Sequence, residues 1–112
     1  MSSNKVTIGI SCGDLNGIGI EILIKIFKHK ELLESCTPVL YCPIKALNYY
    51  KKKLGFNNFG YVEIQKIENK IPGLLNIIPI INHDIDIKPG RVDKLLGKLA
   101  LESIDMVLSD IE

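Results

Sequence analysis

The chain has 112 residues, enough for one domain with a core of its own and too few for two. Its hydrophobic content of 46% and charged content of 24% are typical of a globular protein and exclude a disordered tail. The net charge is +1, from 14 basic and 13 acidic residues, so no overall field draws the chain to nucleic acid or to an acidic membrane surface.

The first residues contain no apolar signal segment, and no run reaches the roughly 18 apolar residues that a membrane span needs. The three cysteines, Cys12, Cys36 and Cys42, follow neither a CxxC nor a disulfide pattern. We therefore expect packed, reduced thiols in a cytoplasmic protein that binds neither membrane nor nucleic acid. The basic run at 51–53 ends a predicted helix, where positive charge favours the helix dipole.

The chain begins with a predicted strand and a predicted helix. Residues 5–10 are mostly apolar on both faces, which suits a buried parallel strand better than a half-exposed one. The helix spans about 17–30, and its Glu21, Lys25 and Lys28 fall in one narrow arc, so we expect it to be covered on most sides. Glu21 and Lys25 lie four residues apart and are expected to form an ion pair.

The later elements follow from apolar spacing and from turn residues. Pro38 starts a strand, Gly55 ends a helix as its C-cap, and Pro79 ends a strand or places it at a sheet edge. The predicted order is a frayed or second helical turn at 31–35, a strand at 38–42, a helix at 44–54, a strand at 61–64, a turn at 68–73, a strand at 75–81, and a mostly buried helix from 91 or 92 to about 109.

Strands that alternate with helices predict an α/β fold, here a three-layer structure with a parallel or mixed sheet and helices on both faces. The pattern ends on an apolar helix without a glycine cap. We therefore expect residues 1–112 to form a single incomplete α/β domain of a longer protein.

The candidate functional residues lie between the first strand and the first helix. Gly13, Gly17 and Gly19 form neither the dinucleotide fingerprint nor a phosphate loop. Such a turn either makes a tight strand-to-helix connection or holds an anion at the helix N-terminus. Asp14 either bonds the backbone of its own turn or contacts a ligand. With Asn16, these are the candidate cofactor-binding residues.

No metal ligand is assigned. His29 ends a helix among lysines, which favours a surface role. His83, Asp84 and Asp86 could bind a metal in isolation, but two carboxylates and an imidazole in a polar loop are more often solvated.

Three segments resemble one enzyme family. Residues 13–21, G-D-L-N-G-I-G-I-E, resemble the G-D-P-x-G-I-G-P-E opening of the 4-hydroxythreonine-4-phosphate dehydrogenases. The 37–41 strand resembles the second strand of that family, and the Pro89-Gly90-Arg91-Val92 segment before the last helix resembles its P-G-K-V segment. Leu15 and Ile20 stand where the family usually has prolines. The resemblance covers essentially the whole chain but corresponds only to the N-terminal third of such an enzyme.

The resemblance implies the N-terminal part of an isocitrate/isopropylmalate dehydrogenase-like fold. It implies NAD-dependent oxidation and decarboxylation of 4-phosphooxy-L-threonine in pyridoxal 5′-phosphate (vitamin B6) biosynthesis, by a homodimer that uses a divalent metal such as zinc, magnesium or cobalt. The three histidines that hold the metal in the family have no counterpart here, so we expect this piece to be inactive alone and no catalytic residue is assigned.

Two alternatives remain. The chain could be a non-enzymatic α/β module for anion binding or assembly that keeps the glycine turn without the chemistry. It could also belong to a related β-decarboxylating hydroxy-acid dehydrogenase, because a shorter G-D-G-I-G-P-E motif opens those enzymes.

Overall fold

The computed structural model describes residues 5–56, 58–81 and 85–111. This part of the chain contains four strands, four α-helices and one short 3₁₀ turn at Ile67–Asn69. The other elements are β1 (Val6–Ser11), α1 (Gly19–Phe27), α2 (Lys30–Ser35), β2 (Cys36–Cys42), α3 (Ile44–Leu54), β3 (Tyr61–Glu63), β4 (Leu75–Pro79) and α4 (Lys94–Ile111).

The four strands form one sheet in the order β1-β2-β4-β3, and each neighbouring pair is parallel. Val6 lies opposite Cys36 in the first pair, and Val39 lies opposite Asn76 in the second. The prediction of a parallel or mixed sheet is therefore confirmed in its parallel form for the described residues. β2 and β4 occupy the centre, where both faces of a strand are covered.

Alternation along β2 divides the core into two layers. Leu40 and Cys42 belong to a large apolar cluster with Ile20 and Ile24 of α1 and with side chains of α3. Val39 and Tyr41 belong to a smaller cluster that also contains Ile64 and Ile78 and contacts Met106 and Val107 of α4.

α1 and α3 therefore cover one face of the sheet and the second half of α4 covers the other. The predicted three-layer α/β architecture is confirmed, whereas the isocitrate/isopropylmalate dehydrogenase-like detail stays a prediction.

Helix α4 crosses β1 at Gly9. A Cβ at this position would lie 3.0 Å from Cγ1 of Val107 and 3.1 Å from Cγ1 of Ile111. The absence of a side chain thus lets the helix approach the strand closely.

The prediction that β1 is buried on both faces is wrong for this structure. β1 lies at one edge of the four-stranded sheet, and Val6 and Ile8 are 65% and 44% exposed on the face away from α4. The two apolar helices are also less covered than expected. Ile22 and Ile26 of α1 and Leu101, Ile104 and Leu108 of α4 are exposed. Periodicity gives the apolar face of a helix but does not give the breadth of the surface that covers it.

The predicted pairing of Glu21 with Lys25 is also wrong. Glu21 instead pairs with Lys53 of α3 at 2.9 Å, because α3 packs beside α1 on the same face of the sheet. Lys51, Lys52 and Lys53 occupy the last turn of α3, as predicted, and Gly55 follows as a left-handed C-cap with φ +73°.

Most element boundaries differ slightly from the predicted ones. α1 begins at Gly19 rather than at residue 17, β2 begins at Cys36 rather than at Pro38, and α4 begins at Lys94. Cys12 and Cys42 are buried in the core and Cys36 is half-buried, which confirms the expectation of packed thiols. Burial raises the pKa of both Cys12 and Cys42, so these thiols stay protonated at neutral pH. In the described ranges no helix combines the length and the apolarity needed to cross a bilayer.

Candidate functional site

The segment 12–18 leaves the carboxyl end of β1 and leads into α1; we refer to it as the glycine turn. The carboxyl ends of parallel strands meet at one edge of a sheet, and open α/β proteins bind their ligands at that edge. β2 and β4 end at the same edge, at Cys42 and Pro79. The glycine turn therefore lies where the fold positions a ligand site.

Short contacts fix the shape of the glycine turn. Gly13 has φ +64°, a left-handed conformation that side chains other than glycine adopt at a cost. Oδ1 of Asp14 accepts a hydrogen bond from the backbone N–H of Asn16 at 2.9 Å, and the carbonyl of Asp14 accepts one from Gly17 at the same distance. A Cβ on Gly17 would lie 3.2 Å from that carbonyl oxygen, so Gly17 is also favoured sterically. One carboxylate oxygen of Asp14 thus serves its own turn.

Gly19 is less constrained. It is the first residue of α1, and a Cβ there would lie 3.6 Å from the carbonyl oxygen of Cys12, an ordinary van der Waals distance. The preceding Ile18 provides no side-chain cap, so no side chain at the cap position bonds the first backbone N–H groups of α1. This end of α1 carries the positive end of the helix dipole.

Asn16 joins the glycine turn to the segment before α4. Its side chain is 4% exposed, its Nδ2 donates to the carbonyl of Arg91 at 3.0 Å, and its Oδ1 accepts from the N–H of Lys88 at 2.7 Å. The backbone carbonyl of Asn16 also accepts from the N–H of Gly90 at 2.9 Å. Three hydrogen bonds therefore hold two segments together that are more than 70 residues apart in the sequence.

Tyr50 of α3 stabilises the glycine turn through hydrogen bonds to its backbone. Its hydroxyl donates to the carbonyl oxygens of Leu15 and Gly17, the second at 3.3 Å, and its side chain is fully buried. Burial, followed by the nearby Tyr49, Glu21 and Asp14, raises the pKa of Tyr50. The phenol therefore remains a hydrogen-bond donor throughout the physiological pH range.

Ser103 of α4 links β1 and β2 near their carboxyl ends by hydrogen bonds. Its Oγ accepts from the N–H of Cys12 at 3.0 Å and donates to the carbonyl of Tyr41 at 2.7 Å, and the side chain is fully buried. A polar residue amid an apolar helix pattern is the only sequence signal for this role. Neither Ser103 nor Tyr50 was identified from the sequence.

Charged side chains gather near the glycine turn. Nζ of Lys45 donates to the carbonyl of Ile85 at 2.7 Å, and the exposed Lys88 pairs with the exposed Asp86 at 3.4 Å. Arg91 is also exposed. The structure thus places three cations on segments that meet at the carboxyl edge of the sheet.

The structure provides no metal centre in the part of the chain that it describes: no three of its His, Cys, Asp and Glu residues are grouped so as to hold an ion. His83 and Asp84, considered above as ligands, lie outside the described residues. Asp86 pairs with Lys88. His29 lies exposed at the cap position before α2, in line with a surface role.

Four of the five candidate residues lie in the glycine turn and Gly19 begins α1, and the structure adds the Lys88–Arg91 segment to them through Asn16. Gly13, Asp14 and Gly17 shape the turn by backbone conformation and local hydrogen bonds. Their assignment as cofactor-binding residues stays a prediction.

Gly13→Ala tests the left-handed conformation of the turn. We expect the substitution to lower the free energy of unfolding by about 1–2 kcal/mol, the cost of a left-handed conformation for a residue with a Cβ. The matched control is Gly97→Ala in α4, where a Cβ meets nothing within 4 Å. Because alanine favours a helix over glycine, this control is expected to gain about 0.5–1 kcal/mol. Urea denaturation of both variants measures the difference, and equal stability of the two would contradict the role of Gly13.

The architecture is that of the open α/β proteins, with a glycine turn at the carboxyl end of the first strand. A 4-hydroxythreonine-4-phosphate dehydrogenase of Bacteroides thetaiotaomicron is 30% identical over 111 residues, which cover 98% of this chain and 30% of that protein. A Clostridium botulinum protein named "Putative D-threonate 4-phosphate dehydrogenase" is 37% identical over 110 residues, which cover 93% of this chain and 32% of that protein.

The structural comparison finds the same enzyme family as the sequence comparison. The crystal structure of a 4-hydroxythreonine-4-phosphate dehydrogenase from Burkholderia phymatum superposes with a TM-score of 0.80 at 21% identity, over 96% of this chain and 33% of that one. No family model matches the chain. The chain is thus related to the 4-hydroxythreonine-4-phosphate dehydrogenases over about a third of their length, and the resemblance predicted from its sequence is confirmed.

Proposed function

We propose that these residues form part of an NAD-dependent dehydrogenase that oxidises a phosphorylated hydroxy acid at the hydroxyl on C3. The observation that carries this proposal is the similarity to dehydrogenases named for such substrates, which extends over 98% of the chain. The geometry supports it, because the segment with the most specific resemblance lies at the carboxyl edge of the sheet.

In this proposal the residues of the chain shape and charge one wall of the substrate site. The glycine turn brings backbone close to a ligand without side chains in the way, and Asn16 keeps the Lys88–Arg91 segment beside it. Lys45 and Arg91 supply positive charge that favours the phosphate and carboxylate of the substrate, whereas the charge of Lys88 is paired with Asp86. NAD, when bound, accepts the hydride that leaves C3.

The expected divalent metal is not assigned to these residues. The described part of the chain lacks a group of ligands that fits such an ion, so no step of the reaction is derived through it. We propose that any metal is held by residues other than those described here. We also propose that the enzyme is a homodimer and that it decarboxylates the oxidised product. Decarboxylation would place the enzyme on the route to pyridoxal phosphate.

Two substrates are candidates. 4-Hydroxythreonine 4-phosphate carries an amino group on C2, whereas D-threonate 4-phosphate carries a hydroxyl there, and both have a carboxylate and a C4 phosphate. Sequence identity does not separate the two substrates, because it is 37% with the Clostridium botulinum relative and 36% and 30% with the 4-hydroxythreonine-4-phosphate dehydrogenases of Sulfurimonas denitrificans and Bacteroides thetaiotaomicron. Lys45 and Arg91 suit both substrates, because the anionic groups of the two are the same.

A chimaera tests the proposed function. The corresponding third of the Bacteroides thetaiotaomicron enzyme is replaced by this chain, and NADH formation is followed with each of the two substrates. We expect activity from the chimaera, and no NADH formation and no micromolar binding of zinc or NAD by the 112 residues alone. A chimaera that folds but never reduces NAD would contradict the proposal and favour the non-enzymatic module. Tight stoichiometric zinc binding by the 112 residues would contradict the placement of the metal elsewhere.

A further inference from the structure

A cavity of about 660 Å³ lies at the edge of the sheet opposite to the glycine turn. It is bounded by the end of α1, the start of α2 and the loops that precede β3 and β4. It is about half open to solvent, and its volume lies within the range of pockets that bind small organic ligands. The proposed dehydrogenase activity assigns no role to this edge, so the cavity is considered independently of that activity.

Three of the residues that line the cavity are aromatic. Phe27, Phe56 and Phe59 line it, and each is partly buried against the main apolar cluster, which fixes the position of its ring. Three phenyl rings around one space offer faces and edges to a planar apolar group. The apolar part of a ligand is therefore expected to be aromatic.

The charge at the cavity has one sign. Of the residues that the structure describes, Lys28 and Lys30 belong to its lining and no Asp or Glu does. The ammonium group of Lys28 lies 4.2 Å from the centroid of the Phe56 ring, so a cation–π contact holds this charge at the aromatic wall. A carboxylate is the group that complements two ammonium ions beside an apolar surface.

Three glycines line the cavity. Gly55 and Gly73 both have positive φ and are explained by their turns. Gly60 lines the cavity without a left-handed conformation, and a Cβ there would meet nothing within 4 Å. Gly60 is exposed, so a side chain there would extend into the open space at the cavity wall.

We propose that this cavity binds a small aromatic carboxylate, with the ring among Phe27, Phe56 and Phe59 and the carboxylate beside Lys28 and Lys30. The ligand thus has a planar apolar body of one or two rings and a single negative charge. The binding adds a site to the one proposed at the glycine turn and does not require that the dehydrogenase proposal hold.

Titration of the full chain with 2-naphthoate, followed by backbone amide NMR, tests the site. We expect saturable shifts confined to residues around the cavity. Gly60→Leu adds a large side chain to the cavity wall. The substitution is expected to weaken binding of 2-naphthoate at least about tenfold, because the added side chain takes up space that the ligand needs. Gly97→Leu is the matched control, since a Cβ there is equally unhindered and Gly97 does not line the cavity. Shifts elsewhere, no binding, or full affinity in Gly60→Leu would overturn the proposal.

The role of charge is tested separately. 2-Naphthamide, the neutral analogue, should bind about two- to fivefold more weakly than 2-naphthoate, the range expected for an exposed ion pair. Lys30→Gln should weaken binding of the acid and leave that of the amide unchanged, while Lys25→Gln, a change on α1 outside the cavity, should affect neither. Equal affinities for acid and amide would overturn the assignment of an anionic ligand.

Discussion

Asn16→Ala is expected to lower the free energy of unfolding by about 2–3 kcal/mol, because the substitution removes two hydrogen bonds made by a nearly buried side chain. The carbonyl of Arg91 and the N–H of Lys88 lose their partners, and the loop before α4 loses its attachment to the glycine turn. Urea denaturation gives the loss of stability. The N–H of Lys88 donates to the Asn16 side chain. The amide hydrogen of Lys88 should therefore exchange faster in Asn16→Ala than in the unsubstituted chain.

Asp14→Ala is the matched control. It removes a single hydrogen bond from an exposed carboxylate in the same turn, and we expect a loss of about 0.5–1 kcal/mol with unchanged exchange at Lys88. If Asn16→Ala costs no more than Asp14→Ala, Asn16 does not hold the two segments together. In the chimaera described above, Asn16→Ala should lower activity if the Lys88–Arg91 segment faces the substrate.

The sequence was sufficient for the order of the elements because local signals mark them. Pro43 and Gly55 bound α3, and the apolar run at 75–79 forms a central strand. The glycine turn was also identifiable, since three glycines and a carboxylate between a strand and a helix restrict the local conformation. These features depend on neighbours in the chain, so residue type and spacing suffice to predict them.

The long-range contacts were not predictable in the same way. Asn16 contacts a segment more than 70 residues away, and nothing in its neighbourhood distinguishes it from an ordinary turn asparagine. Glu21 has a suitable lysine four residues later, yet it pairs with Lys53 because α1 and α3 pack side by side. Side-chain partners of this kind depend on how the helices are arranged around the sheet, and a single sequence does not contain that arrangement explicitly.

The exposure of β1 has a similar origin. A run such as 6–10 is apolar enough for a central strand, and only the strand order places it at an edge. The family resemblance predicted the fold class correctly, but it did not predict which faces would be covered within these residues. Packing against α4 at Gly9 covers one face, while Val6 and Ile8 on the other face stay exposed.

Ser103→Ala is expected to have the largest effect of the single substitutions considered, a loss of about 3 kcal/mol in the free energy of unfolding. Both hydrogen bonds of its hydroxyl lie in the interior, so the N–H of Cys12 and the carbonyl of Tyr41 cannot turn to water when the hydroxyl is removed. Cys12 directly follows β1, and Tyr41 lies near the end of β2. The loss of the two hydrogen bonds should therefore also loosen the start of the glycine turn.

Ser109→Ala controls for helix propensity, because Ser109 lies on the same helix and is exposed. Alanine is the better helix former, so we expect this control to gain a few tenths of a kcal/mol, up to about 0.5. Thermal and urea denaturation of the two variants compare the same chemical change at a buried and at an exposed site. A loss below about 1 kcal/mol for Ser103→Ala would mean that the two groups find other partners. In that case α4 does not join the ends of the two strands, and the position of the glycine turn depends on Asn16 and Tyr50.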